Sequence, residues 1–181
     1  MTDSVQTQIA AVPQPLPAGN AATGGEIREF LAFRLGDEEY GMDILRVQEI
    51  RSYVPPTQLA TAPDFILGVI NLRGVIVPIV DMRRKLGLAQ QRFDASTVVI
   101  VLTFGNRVAG MVVDSVSDVL TLAPEQLHAV PDLHASVLTD HLLAIGSINE
   151  RTLLLLDIDG LMRSAEMGLN GSPARTAPAL H

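Results

Sequence analysis

The sequence predicts an all-β chain built from two copies of a small barrel unit, and three observations lead there. Apolar residues come in short runs of strand length, such as Val98 to Leu102 and Leu153 to Leu156, bounded by turn residues. The second part of the chain echoes the first. Gly41-Met42 with Val47, Glu49 and Ile50 matches Gly110-Met111 with Val116, Asp118 and Val119, at a constant offset of 69. Segments with a helical period are few and short, and a duplicated unit of about 65 residues with little helix suits two small barrels.

The elements follow in order. Residues 1–26 are rich in Ala, Pro, Gly, Thr and Gln and offer little to bury, so they read as a disordered tail. In FLAFRL, Leu31, Phe33 and Leu35 alternate with Phe30, Ala32 and Arg34, the period of a strand. Gly36-Asp37-Glu38-Glu39 reads as a turn, Tyr40 to Ile44 as the returning strand, and Val47 to Ile50 as a further one. Val54-Pro55-Pro56 breaks regularity. Thr61 to Gly68 predicts a short helix, with Pro63 early and Gly68 at the stop. Gly68 to Asp81, GVINLRGVIVPIVD, predicts two apolar strands around a tight turn at Asn71-Leu72-Arg73-Gly74. Pro78 lacks a ladder donor, so its strand is expected at an edge or with a bulge.

Asp81 to Leu88 makes one or two helical turns, where Arg83-Arg84-Lys85 reads as a solvated face, and Ala89 to Ser96 is the best linker. The pattern then repeats. Thr97 to Phe104 is a strand, Gly105-Asn106-Arg107 a turn, and Val108 to Val113 returns. Gly146 to Asn149 and Leu153 to Asp157 mirror the earlier hairpin, with Glu150-Arg151 at the tip. Ile158 to Leu169 resembles a terminal helix capped by Asp159, burying Leu161, Met162 and Ala165. The expected organisation is a folded region over 27–167, with a first lobe over 29–88, a second over 93–158 and a helix over 159–167; residues 168–181 form a second disordered tail.

Composition narrows function. Apolar residues make up 48% of the chain, Cys is absent, and the net charge is −7. Without Cys there is no disulfide, thiolate or cysteine–zinc chemistry. The acidic balance argues against nucleic acid as the main ligand. No run reaches the length of a membrane span, and the N-terminus lacks the basic and apolar regions of a secretory signal, so a cytoplasmic location is expected.

Catalytic motifs are lacking. No glycine loop with a following Lys, no GxGxxG and no nucleophile elbow occurs. His128, His134, His141 and His181 are spaced by six, seven and forty residues, which suits separate surface histidines better than metal ligands. Asp114, Asp118, Asp157 and Asp159 suit caps and turns better than a cation site, and no metal or other cofactor is expected. Arg73, the only charge between Gly68 and Val80, keeps two readings: a solvated turn residue, or a cation at an apolar tip placed to touch a partner. The residues alone lead to a non-catalytic all-β binding module. A small-molecule or cation-binding barrel is the competitor from another class.

Three segments carry a resemblance: EFLAFRLGDEEYGMDILRVQEIR (29–51), GVINLRGVIVPIVDMR (68–83) and VVIVLTFGNRVAGMVVDSVSDVL (98–120). Together they resemble the CheW family of bacterial chemotaxis coupling proteins, over about Glu29 to Met167. The resemblance implies two intertwined five-stranded Src-homology-3-like barrels and no enzyme activity. It implies an adaptor that links transmembrane chemoreceptors to the regulatory domain of the histidine kinase CheA and reaches the inner membrane face only through its partners. Carried over by motif, the receptor-binding groove takes in Val47, Glu49, Ile50, Arg73, Val98 and Val119, and the kinase contacts take in Ile44, His128 and Leu133. In this picture Glu49 faces Arg73 or a receptor cation. The loop HAVPDLHASVLTDH departs most from the family pattern. An adaptor of the same kind in another receptor–kinase pathway, such as twitching motility, is the alternative.

Overall fold

A computed structural model of the chain describes residues 26–89, 92–132 and 137–163. The strands are β1 (Arg28–Leu35), β2 (Glu38–Asp43), β3 (Val47–Ser52), β4 (Ile66–Leu72), β5 (Val75–Asp81), β6 (Val98–Phe104), β7 (Arg107–Val113), β8 (Ser115–Leu122), β9 (Leu127–His128), β10 (Leu142–Ile148) and β11 (Arg151–Leu156). Short helices α1 (Met82–Lys85), α2 (Val137–Asp140) and α3 (Ile158–Arg163) complete it. The all-β prediction holds.

Two sheets form, in the orders β8-β1-β2-β11-β10-β9 and β3-β6-β7-β5-β4. Each draws strands from both halves of the sequence, so the halves are units of repetition and the sheets are units of packing. The repeat survives in the pairing. β2 runs parallel to β11 and β7 runs parallel to β5, at matching places. Gly41 and Gly110 sit at these crossings, where a Cβ would come 2.6 Å from Leu155 Cδ2 and 2.5 Å from Ile79 Cδ1 respectively. The two-residue β9 beside β10 has its counterpart in the single bridge between Thr57 and Val69 beside β4.

Three apolar clusters divide the interior. Phe30, Ala32, Leu120, Leu122, Leu153 and Leu155 pack together on one face of the first sheet. Leu127 of β9 joins them, although β9 and β8 end opposite sides of the sheet, so the sheet curls into a barrel. Leu72, Val77, Ile79, Val99, Val101 and Val112 do the same for the second sheet. Between the sheets lies a shared core that includes Leu31, Phe33, Tyr40, Met42, Ile100, Leu102, Met111, Leu161 and Met162. Each fully buried side chain of this kind stabilises by about 1.5–3 kcal/mol. β1 explains the arrangement in sequence terms: Phe30 and Ala32 face one cluster, Leu31 and Phe33 the other.

Several expectations change. Residues 61–65 form turns and 66–68 already belong to β4, so no helix forms. Ile66 N–H donates to the Pro63 carbonyl, and Phe65 and Val69 bond Asp81 and Thr57, so ladder bonds outcompete a helix too short to nucleate alone. Gly68, at φ 147°, is not a helix stop; its register with β5 shifts there, and a Cβ would meet the Thr57 carbonyl oxygen at 2.1 Å. Pro78 lies in an interior strand, opposite Val69. Val69 directs both backbone groups to Thr57, and β7 pairing begins only at Ile79, so the missing N–H leaves no gap. Glu38 and Glu39 begin β2, and Ile44 opens a 3₁₀ turn, Ile44–Arg46, that Asp43 caps. The second hairpin turns at Asn149-Glu150, both at positive φ, which makes Arg151 the first residue of β11.

The basic cluster is not a solvated face. Arg83 and Lys85 are buried. Arg83 pairs with Asp114, Asp114 also accepts from Gly36 N–H at 2.7 Å, and Arg83 Nη1 donates to the Ala89 carbonyl. Lys85 lies over the Phe65 ring at 4.6 Å. Asp159 does not cap α3: Asp157 Oδ1 accepts from Gly160 N–H at 3.0 Å, while Asp159 pairs with Arg46 at 2.5 Å. Residues 164–167 of the expected helix, with Ala165, lie outside the described residues, as do both tails apart from Glu26.

Candidate functional site

β3 is an edge strand with an irregularity that sets the site. It pairs with β6 as Val47 to Leu102 and then Glu49 to Val101, leaving Gln48 as an extra, bulged residue. Residues directly opposite across a ladder share a face. Val47 and Ile50, three apart, therefore both lie on the face of Leu102 and Ile100, toward the shared core. Glu49 and Arg51 lie on the other face, toward the second sheet's own cluster. β8 repeats the device: Asp118 pairs with Ala32 and Val116 with Phe33, so Ser117 is the bulged residue and Val116 and Val119 share the core-facing side.

Ile50 and Val119 are exposed, whereas Val47, Val98 and Val116 are half-buried against the shared core. Val47 and Ile50 on β3, and Val116 and Val119 on β8, form apolar shoulders on the two edge strands, with Val98 of β6 beneath the first. Val116 stands in the sequence repeat as the counterpart of Val47 but is not among the groove residues that the resemblance implies. The signal was present, because valine recurs three residues before an exposed aliphatic in both repeats.

Arg73 stands at the tip of the β4–β5 hairpin with φ 51°, followed by Gly74 at φ 86°. Two successive positive φ values mark the primed hairpin turn. Asn71 Oδ1 secures it by accepting from Gly74 N–H at 2.8 Å. The Arg73 side chain is 70% exposed and donates to Glu49 Oε2 at 2.6 Å. Glu49 also lies 3.6 Å from Arg51 Nη1. Glu49, Ile50, Arg51, Asn71, Leu72 and Arg73 line an open groove of about 450 Å³. Apolar Val75 and Ile76 remain exposed just beyond the tip. Aliphatic surface rimmed by a few charges is the composition of a protein-binding surface.

Of the expected groove, the structure brings Glu49, Ile50 and Arg73 together, with Val47 on the same strand; Val98 sits beneath β3, opposite Ser52, and Val119 belongs to the other edge strand. Ile44 is half-buried beside the exposed Leu45, and His128 is exposed on β9. Leu133 lies outside the described residues. The four aspartates considered for a cation do not gather. Asp114 binds Arg83, Asp118 binds Arg151, Asp157 caps a helix and Asp159 pairs with Arg46. Among the described residues no helix is long and apolar enough to cross a membrane.

The model of the CheW-like domain family matches residues 29–166. The chemotaxis protein CheW of Klebsiella aerogenes is 52% identical over 149 residues, 82% of this chain and 90% of that protein. The protein FrzA of Myxococcus xanthus is 31% identical over 147 residues, 80% of this chain and 91% of its own length. The crystal structure of the scaffolding protein TtCheW from Thermoanaerobacter tengcongensis superposes with a TM-score of 0.72 at 25% identity, over 78% of this chain and 96% of that one.

Proposed function

Since this chain belongs to the CheW-like family, we propose that it is a chemotaxis coupling protein, joining the cytoplasmic signalling tips of chemoreceptors to the regulatory domain of the histidine kinase CheA. The observation that carries the reading is the Arg73 tip: an exposed guanidinium, steadied by Glu49, beside the exposed Ile50 of an edge strand. A helical receptor hairpin presents apolar faces and carboxylates, and this groove answers both. Val47, Ile50, Val98 and Val119 take the apolar contact, and Arg73 takes the carboxylate. Ile44, His128 and Leu133 belong to the kinase contacts. The chain performs no chemistry and needs no cofactor; it works in the cytoplasm and reaches the inner membrane face through the receptors it holds. The likeness to FrzA favours a second assignment, in which the same adaptor chemistry serves a receptor–kinase pathway not tied to flagella.

Co-purification tests the proposal. The chain should form a ternary complex with a receptor signalling fragment and the kinase regulatory domain, and each binary complex should form alone. Recovery of neither partner would refute it.

A further inference from the structure

The second sheet's barrel is open where the first is closed. In the first sheet, Leu120 of β8 is 9% exposed and stands opposite Phe30, inside the cluster that Leu122, Leu127, Ala144 and Ile148 complete. The offset of 69 places Arg51 where Leu120 stands and Val99 where Phe30 stands. Arg51 is opposite Val99, but its side chain is 42% exposed, and Val99 is smaller than Phe30. A slot of about 200 Å³ is left between β3 and β4, lined by Arg51, Ser52, Val54, Ile70, Asn71, Ile79 and Val99. Ile79 and Val99 are buried and form an aliphatic floor. A cavity of about 150 Å³ with apolar walls already accepts a benzene-sized guest. The Glu49–Arg73 pair and the Thr57–Val69 bridge each tie the two strands' segments together beside it. The slot shares Arg51 and Asn71 with the Arg73 groove and so continues it.

We infer that this slot is a side-chain socket that takes one aliphatic side chain from the receptor segment lying along the Arg73 groove, while a carboxylate of that segment meets Arg51 and Arg73. The inference rests on the receptor-coupling reading and names a specificity subsite for it. The molecule itself supplies the template: at the matching place in the other barrel, its own Leu120 is the occupant. Charge selects the flank of the guest, because Arg51 and Arg73 outnumber Glu49 at the rim. Depth selects its shape, because an aliphatic floor discriminates by size and leaves a polar guest unpaired.

The test compares three variants in direct titrations of the full chain with a receptor signalling fragment, each checked by thermal melting. Arg51→Leu should plug the socket as Leu120 does, keep or raise the melting temperature, and weaken receptor binding at least tenfold. Val99→Phe should fill it from below with a similar loss. Arg51→Ala removes the same charge but leaves the socket open, and should cost no more than about threefold. If the parent binds the receptor fragment while Arg51→Leu binds no worse than Arg51→Ala, the socket is wrong and the coupling reading stands. If Arg51→Leu weakens only the kinase domain, the occupant is wrong. If the parent binds no receptor fragment, both fall. Should Val99→Phe fail to fold, the exposed Arg51→Leu site decides.

Discussion

The two repeat-related hairpins, β4–β5 and β10–β11, each send an arginine at or beside the tip to the acid at the same place on an edge strand, and the two arginines are held in opposite ways. Arg73 reaches Glu49 alone and is 70% exposed. Arg151 reaches Asp118, the counterpart of Glu49, and also Glu39 on β2, and is 36% exposed. The hydrogen bonds that Arg151 donates to Asp118 and Glu39 push its own pKa up, and the bond from Arg151 holds the Asp118 carboxyl below its usual value. One tip is tied into its own barrel; the other keeps a cation available. The repeat places an arginine at or beside each of these two tips, and the extra acid on β2 leaves Arg73 the more exposed of the two.

The largest effect expected of this comparison concerns the hairpin bases. Gly68 and Gly146 correspond in the repeat. Gly68 carries φ 147° against a backbone carbonyl, while the one close approach to a Cβ at Gly146 is the movable Leu122 Cδ1, at 2.8 Å. Gly68→Ala should therefore destabilise by about 3 kcal/mol and Gly146→Ala by about 1 kcal/mol in denaturant titrations. Equal losses would remove the asymmetry between the hairpins.

Next come the pairs that join the sheets. Arg83–Asp114 and Asp159–Arg46 each link a helix that follows a hairpin to the segment entering an edge strand, with the charges reversed. Burial alone would raise the Asp114 pKa, but the hydrogen bonds from Arg83 and Gly36 N–H and the Arg83 charge lower it overall. A carboxyl depressed in the folded state contributes stability above its unfolded value, near 3.8, and loses it as pH falls through the folded value. The parent should hold its stability from pH 7 to 5 and lose it below about pH 4. Asp114→Asn should be about 2 kcal/mol less stable at pH 7 and show a shallower acid slope, read by denaturant titration across that range.

Smaller still is the difference between the tips. Arg151→Ala should lower stability by about 1 kcal/mol, because it ends two contacts at once. Arg73→Ala should change it by less than about 0.5 kcal/mol, as expected of an exposed pair. Reversal of that order would show the Arg73 tip to be structural.

Much of this was legible in the sequence. Period-two runs gave the strands, and the offset of 69 gave a repeat that extends in the structure to the bulges at Gln48 and Ser117. What misled were features decided at a distance. Arg83 looks solvated in its own neighbourhood because Asp114, its partner, lies 31 residues away. Thr61 to Gly68 carries helix punctuation, yet the ladder with β5 and the bridge to Thr57 claim its backbone. Pro78 predicts an edge only if its strand is paired along its full length on both sides, and it is not. Asp159 and Asp157 are equally good caps by residue type, and only the packing of α3 chooses between them. The hairpin motif alone leaves Arg73 open between a solvated turn and a partner contact, and only the family resemblance implies the groove, while the slot beside it appears only when the two barrels are laid over each other.

The most direct test of the open-tip account is a titration of a receptor signalling fragment into the parent and into Arg73→Glu, with thermal melting of both. The account predicts unchanged melting, unchanged binding of the kinase regulatory domain, and receptor affinity reduced at least tenfold. Receptor binding equal to the parent, in a protein that melts normally, would contradict it.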